Sequence, residues 1–144
     1  MNLQIDCQVK GDYQKVFEHF NENLFKKLTP SFIKIKKFDG VEVGDEFIIE
    51  IPILFTTMVW KGRISQREKS HDSCYFVDIG DTLPFPLKSW EHKHLILKDE
   101  ENAIISDKIN FDSYGGFFLR PFVYIMVYIM IKVRTPLYKS YFND

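Results

Sequence analysis

The residues of this chain best suited to chemistry are two histidines, a tryptophan and an aspartate. Trp90, His92 and His94 alternate in Trp90-Glu91-His92-Lys93-His94, and Asp107 follows in Ser106-Asp107-Lys108-Ile109. Residues two apart lie on one face of a strand. The polar stretch Lys98-Asp99-Glu100-Glu101-Asn102 separates the two segments and predicts a hairpin. With the tip at Glu100-Glu101, His94 lies opposite Asp107, His92 opposite Ile109, and Ile96 opposite Ile105. Trp90, His92, His94 and Ile96 then share an inner face with Ile105, Asp107, Ile109 and Phe111. Glu91, Lys93, Ser106, Lys108 and Asn110 face water. A slip of one residue would turn both histidines outward.

A carboxylate beside an imidazole sets its tautomer and raises its pKa. Such a pair can serve as a general acid or base, with His94 and Asp107 the candidate catalytic residues. It can equally fix strand register and orient a ligand. Buried ionisable groups are costly unless paired, so the structural or ligand-orienting role is the first expectation. His92, His94 and Asp107 also form a known type of metal-ligand set. Neighbours on one face of a flat strand diverge, however, and no metal is expected. The chain has no glycine-rich phosphate loop, nucleophile elbow or paired cysteine knuckles, and no cofactor is expected.

The elements that must position these residues follow from periodicity. Leu3, Ile5, Cys7 and Val9 alternate with polar residues, which predicts a half-buried strand ending at Gly11. Asp12 can cap a helix bearing Val16, Phe17 and Phe20. Asn21 or Asn23 can start a second helix with Leu24, Phe25 and Leu28, which Thr29-Pro30 stops. A six-stranded meander follows. Phe32 to Phe38 is its first strand. Phe47, Ile49, Ile51 and Ile53 are the inner row of the second, and Met58, Trp60 and Ile64 that of the third. Cys74 to Ile79, the histidine strand, and about Ala103 to Asp112 complete it. Gly115-Gly116 breaks the pattern. Leu119, Phe122, Val123, Met126, Met130, Val133 and Leu137 then recur at helical spacing, with Pro121 in the first turn and a kink at Pro136. The helix would span about 22 residues, roughly 33 Å. This is an α+β arrangement in one domain, residues 1–144, with the terminal helix burying its stripe on the sheet.

Composition narrows the class. The chain has 144 residues, a net charge of -1, 45% hydrophobic and 16% aromatic residues, which fits one domain with one core. No basic stripe suggests a nucleic-acid partner; Lys34, Lys36 and Lys37 read as a solvated strand face. Cys7 and Cys74 read as buried free thiols. The N-terminus lacks the pattern of a secretory signal. The apolar run Phe122 to Ile131 is too short for a membrane span, which takes about 20 residues. No transmembrane segment and a cytoplasmic location are therefore expected. Ile125, Tyr128, Ile129 and Ile131 make the terminal helix apolar almost all round. The simpler expectation is that sheet edges and loops wrap it; the sharper one is a homodimer interface or a surface that meets a membrane or lipid donor.

Leu28-Thr29-Pro30, Val43-Gly44-Asp45, Trp60, Phe76-Val77-Asp78, the Trp90–His94 strand, Asp107 and a long terminal helix carrying Arg134 occur in this order. The chain in this respect resembles the bacterial ligand-binding branch of the START-like, or SRPBCC, superfamily of polyketide cyclases/dehydrases and lipid-transport proteins. The resemblance implies a helix-grip fold, in which a curved antiparallel sheet wraps a long C-terminal helix around a hydrophobic cavity. Relatives bind lipids, sterols, quinones, polyketides or plant hormones, and some are enzymes. Relatives commonly carry a proline-glycine turn before the last helix, where this chain reads Ser113-Tyr114-Gly115-Gly116. The leading expectation is a binder or carrier of a small hydrophobic ligand. Trp60, Trp90, Ile109, Phe111, Met126 and Met130, with Phe47 and Ile49, would form the apolar wall. His92, His94 and Asp107 would supply the polar contacts. A cyclase or dehydratase using His94 and Asp107, and a dimeric interaction module, are the alternatives.

Overall fold

The computed structural model describes residues 1–144. Strand β1 (Asn2–Lys10) leads into helices α1 (Tyr13–Glu18) and α2 (Glu22–Leu28). Six strands follow: β2 (Lys34–Phe38), β3 (Glu46–Ile53), β4 (Thr56–Lys69), β5 (Ser73–Thr82), β6 (Leu87–Asp99) and β7 (Asn102–Ser113). Helices α3 (Gly116–Lys132) and α4 (Arg134–Asn143) end the chain. All strands join one antiparallel sheet in the order β1-β7-β6-β5-β4-β3-β2. The architecture is α+β, a helix-grip fold.

Local chemistry accounts for the first elements. β1 alternates strictly, with Leu3, Ile5, Cys7 and Val9 buried. The Asp12 carboxylate accepts from the backbone N–H of Gln14 and Lys15 and starts α1. The Asn21 side chain does the same for Asn23 and Leu24 at α2, which ends at Thr29, just before Pro30. The β6–β7 hairpin has the expected register: His94 pairs with Asp107, His92 with Ile109, Ile96 with Ile105 and Trp90 with Phe111. Cys7 and Cys74 are buried and free.

The core has two apolar parts. One joins α1, α2 and α4 to the sheet through Phe17, Phe20, Leu24, Ile96, Ile105 and Tyr138. The other joins α3 to it through Trp90, Ile109, Phe111, Val123, Val127 and Ile131. Along β6 the inward row runs Trp90, His92, His94, Ile96, so the polar residues sit where the two parts meet.

The terminal helix departs from expectation in three ways. It begins earlier, at Gly116, because Gly115 and Gly116 take φ of 86° and 53° and turn the chain off the sheet. Pro121 therefore lies inside α3 rather than in its first turn. The break comes at Val133, one turn before Pro136. A proline ring clashes with the carbonyl four residues earlier, here Lys132, so the helix gives way ahead of the proline. Third, the buried stripe is Val123, Val127 and Ile131. Of the expected stripe, Leu119, Phe122, Met126 and Val133 are exposed. The helix is apolar on nearly every side, so periodicity does not select one face. Its packing on β7 and β1 does. Ile125, Tyr128 and Ile129 stay in solvent; sheet edges and loops do not wrap this helix. Together α3 and α4 span Gly116–Asn143, long and apolar enough to cross a membrane by length and composition alone.

Candidate functional site

The inward residues of β5, β6 and β7 build a buried polar cluster. Asp78 of β5 faces His92 across the sheet, and Asp107 of β7 faces His94. The hydrogen bonds run along the diagonals. His94 Nε2 lies 2.9 Å from Asp78 Oδ2, and His92 Nε2 lies 2.8 Å from Asp107 Oδ1. Diagonal neighbours across strands are within reach of long side chains. Trp90 Nε1–H donates to the other Asp78 oxygen at 3.0 Å. The two imidazole rings lie 3.7 Å apart, and Phe76 stacks on His94 at 4.3 Å. His94 Nδ1 faces Asp107 Oδ1 at 3.3 Å but makes no hydrogen bond. All four ionisable groups are buried.

Two imidazoles this close in an apolar setting do not both carry charge. Burial, together with the neighbouring His94 charge, drives His92 down to about 4, against the pull of Asp107. Burial also lowers His94, but its contacts with Asp107 and Asp78 outweigh this and raise it above the usual histidine value. Burial raises both carboxyls, yet the histidine hydrogen bonds and charges hold Asp78 and Asp107 below the carboxylate range. Of the two, His94 is therefore the imidazole that favours the proton, and its Nε2 is directed at Asp78. His92 is neutral and donates Nε2–H to Asp107. Even with His94 protonated, the two carboxylates leave one negative charge in excess. Arg134, at the start of α4, brings a positive charge to the same region, and the buried Tyr138 hydroxyl lies near both Arg134 and Asp107.

The Asp78, His92 and His94 side of this cluster forms the polar wall of a cavity of about 190 Å³. Phe47, Ile49, Ile51, Trp60, Ile64 and Phe76 line it from the sheet. Phe20, Leu24, Phe25 and Leu28 close it from α1, α2 and the link between them, and Met130, Val133 and Arg134 from the terminal helices. Trp90, Asp78, His92 and His94 complete it. The indole N–H of Trp60 is buried and has no partner.

Of the expected ligand-site residues, Trp60, Trp90, His92, His94 and Met130 border the cavity, as do Phe47 and Ile49. Asp107, Ile109 and Phe111 do not; they are buried elsewhere on the sheet's inner face, Ile109 and Phe111 in the part of the core that holds α3. Met126 is exposed on the far side of α3. Asp78 was not among the expected site residues, although Cys74, Phe76 and Asp78 share one face by simple alternation. The contribution of α2 was also missed, since no local pattern shows which part of a sheet a short helix covers.

Asp78, His92 and His94 place ligand atoms within 4.8 Å of one another, the tightest group for a metal. It uses Asp78 where the sequence suggested Asp107. A metal needs neutral, free imidazole lone pairs. Here each imidazole commits its Nε2 to a carboxylate, and the two rings lie 3.7 Å apart, tilted by 32°, so a hydrogen-bonded network fits these residues better than a cation.

No family model matches the sequence, and no curated protein matches it. Solved structures do match over nearly the whole chain. A START superfamily protein from Mycobacterium smegmatis superposes with a TM-score of 0.72 at 7% identity, covering 99% of this chain and 97% of that one. Ara h 8.0201 does so at 0.67 and 14% identity, covering 98% and 96%. Norcoclaurine synthase from Thalictrum flavum does so at 0.59 and 12%, covering 92% and 85%. Identities this low speak to fold and leave function to the site. The helix gripped by a seven-stranded antiparallel sheet, with these neighbours in shape, gives the chain a START-like fold.

Proposed function

We propose that the protein binds a small hydrophobic molecule in the cavity between the sheet, α2 and the α3–α4 junction. The observation that carries this reading is the lining: apolar side chains on most sides and one wall of convergent polar groups, the usual make-up of a small-molecule site. At about 190 Å³ the space lies below the roughly 300–1,000 Å³ common for drug-sized ligands. The ligand is therefore compact, or only part of it is enclosed. Trp60, Trp90, Met130, Phe47 and Ile49 supply apolar contact. His92, His94 and Asp78 orient a polar group, and Asp107 holds the histidines from behind. The unpartnered Trp60 N–H offers a donor to a ligand oxygen. START-like neighbours in shape are consistent with this reading.

An acid/base role for His94 is less well supported. Nε2 is bonded to Asp78, and Nδ1 faces Asp107. A general acid must present its proton to the substrate, and both His94 nitrogens are turned toward carboxylates instead.

The test is displacement by a side chain. Ile49→Trp adds a large side chain to the cavity from β3 and leaves the residues of the polar cluster unchanged. Titration with anilinonaphthalene sulfonate, followed by fluorescence, is expected to show one saturable site in the parent protein, at least about tenfold weaker in Ile49→Trp. That loss corresponds to about 1.4 kcal/mol, within the reach of one blocked apolar contact. Unchanged saturable binding in a variant with unchanged circular dichroism would mean that the cavity is not the site.

A further inference from the structure

The molecule exposes large apolar side chains at one end, remote from the polar cluster. In an antiparallel meander successive turns lie at alternate ends. The β3–β4 turn, the β5–β6 connection and the β7–α3 turn therefore share an end, and α3 starts from it. Each carries exposed apolar residues: Leu54 and Phe55 on the first, Phe85 on the second and Tyr114 on the third. The Phe85 and Tyr114 rings stack on each other. Helix α3 continues the surface, with Phe117 85% and Phe118 83% exposed. Phe118, Phe122, Ile125 and Ile129 follow at spacings that keep them on one face, opposite buried Val127. Contiguous apolar surface of this kind marks an interaction site.

Charge selects the occupant. Helix α3 carries Arg120 and Lys132 and no aspartate or glutamate. At the same end Asp81 is paired with Arg63, and Asp112 faces Arg120. Lys88, exposed at the start of β6, and Lys132 have no carboxylate partner. A second copy docked on this face would set cation against cation, with no acid on the helix to answer it. An anionic lipid surface answers it directly. The inner stripe Val123, Val127 and Ile131 is packed in the core, so the helix lies along a bilayer rather than through it.

We infer that this end of the molecule docks peripherally on anionic membranes, with α3 lying in the interface and the Leu54-Phe55 and Phe85 turns dipping beside it. The inference is independent of the cavity's occupant. Co-sedimentation with vesicles of phosphatidylcholine containing about one-third phosphatidylglycerol tests it. The full chain is expected to sediment with these vesicles, to bind phosphatidylcholine alone far less, and to be released by salt. The double variant Phe118→Ser/Phe122→Ser changes only exposed positions and leaves circular dichroism unaltered. It is expected to bind at least about tenfold more weakly. Absence of binding to the anionic vesicles, binding indifferent to lipid charge, or full binding by the double variant would overturn the inference. So would a solution dimer, measured by sedimentation equilibrium, that the same double variant dissociates.

Discussion

Asp107→Ala is expected to lower the free energy of unfolding by about 3–5 kcal/mol, the range for removing one partner from a buried ion pair. Asp107 is 2% exposed and accepts the His92 Nε2–H at 2.8 Å. The substitution leaves that donor unsatisfied, at about 1–3 kcal/mol. It also removes one of the two carboxylates that favour the protonated form of His94. His94 can shed its proton to limit the loss, but Asp78 then loses its charged partner. Total stability for a domain is about 5–15 kcal/mol, so the variant should sit near its unfolding limit. Glu101→Ala, at the exposed hairpin turn, serves as the control and is expected within about 0.5 kcal/mol of the parent. Urea denaturation of both measures the contrast. Equal midpoints would show that the cluster does not stabilise the sheet.

The second large effect is a stability maximum near neutral pH, with different groups setting its two sides. His92 has a folded pKa of about 4 against an ordinary 6.5. The folded state resists its protonation, so stability falls as pH drops from 6.5 to 4, by about 3 kcal/mol. Asp78 and Asp107 are depressed relative to 3.8. Their stabilisation is present above that value and is lost as pH falls further. His94 has the opposite sign. Its folded pKa is raised above 6.5, so its contribution is complete below 6.5 and is lost as pH rises through the folded value. His92→Gln keeps an N–H for Asp107 but cannot titrate. It is expected to flatten the decline between pH 6.5 and 4 and to leave the alkaline side in place. Urea midpoints across pH, for parent and variant, measure this. An acid limb of the same depth in His92→Gln would assign it to another group.

The hairpin was legible because one polar turn fixes the register of every residue on both strands. Once Glu100-Glu101 is the tip, His94 must face Asp107. Backbone register does not fix side-chain direction, and the hydrogen bonds cross instead: His92 to Asp107 and His94 to Asp78. Asp78 escaped because no local spacing links β5 to β6; only the sheet order brings them together. The apolar stripe of α3 was placed on the wrong side for a related reason. Where Phe122, Ile125, Met126 and Ile129 compete with Val123 and Val127, the sequence offers no contrast between faces. The packing of α3 on β7 and β1 covers Ile109 and Phe111 and turns Met126 to solvent. The helix cap at Asp12 was legible, and the second was narrowed to Asn21 or Asn23, because a cap is a local event.

Native mass spectrometry of the purified protein, followed by organic extraction, tests the binding reading most directly. The account predicts a compact hydrophobic passenger at one per chain, or uptake of one from a panel of fatty acids, quinones and aromatic ketones. It further predicts that Ile49→Trp loses this passenger while Phe118→Ser/Phe122→Ser retains it. A folded chain that carries nothing and takes up none of the panel would contradict it.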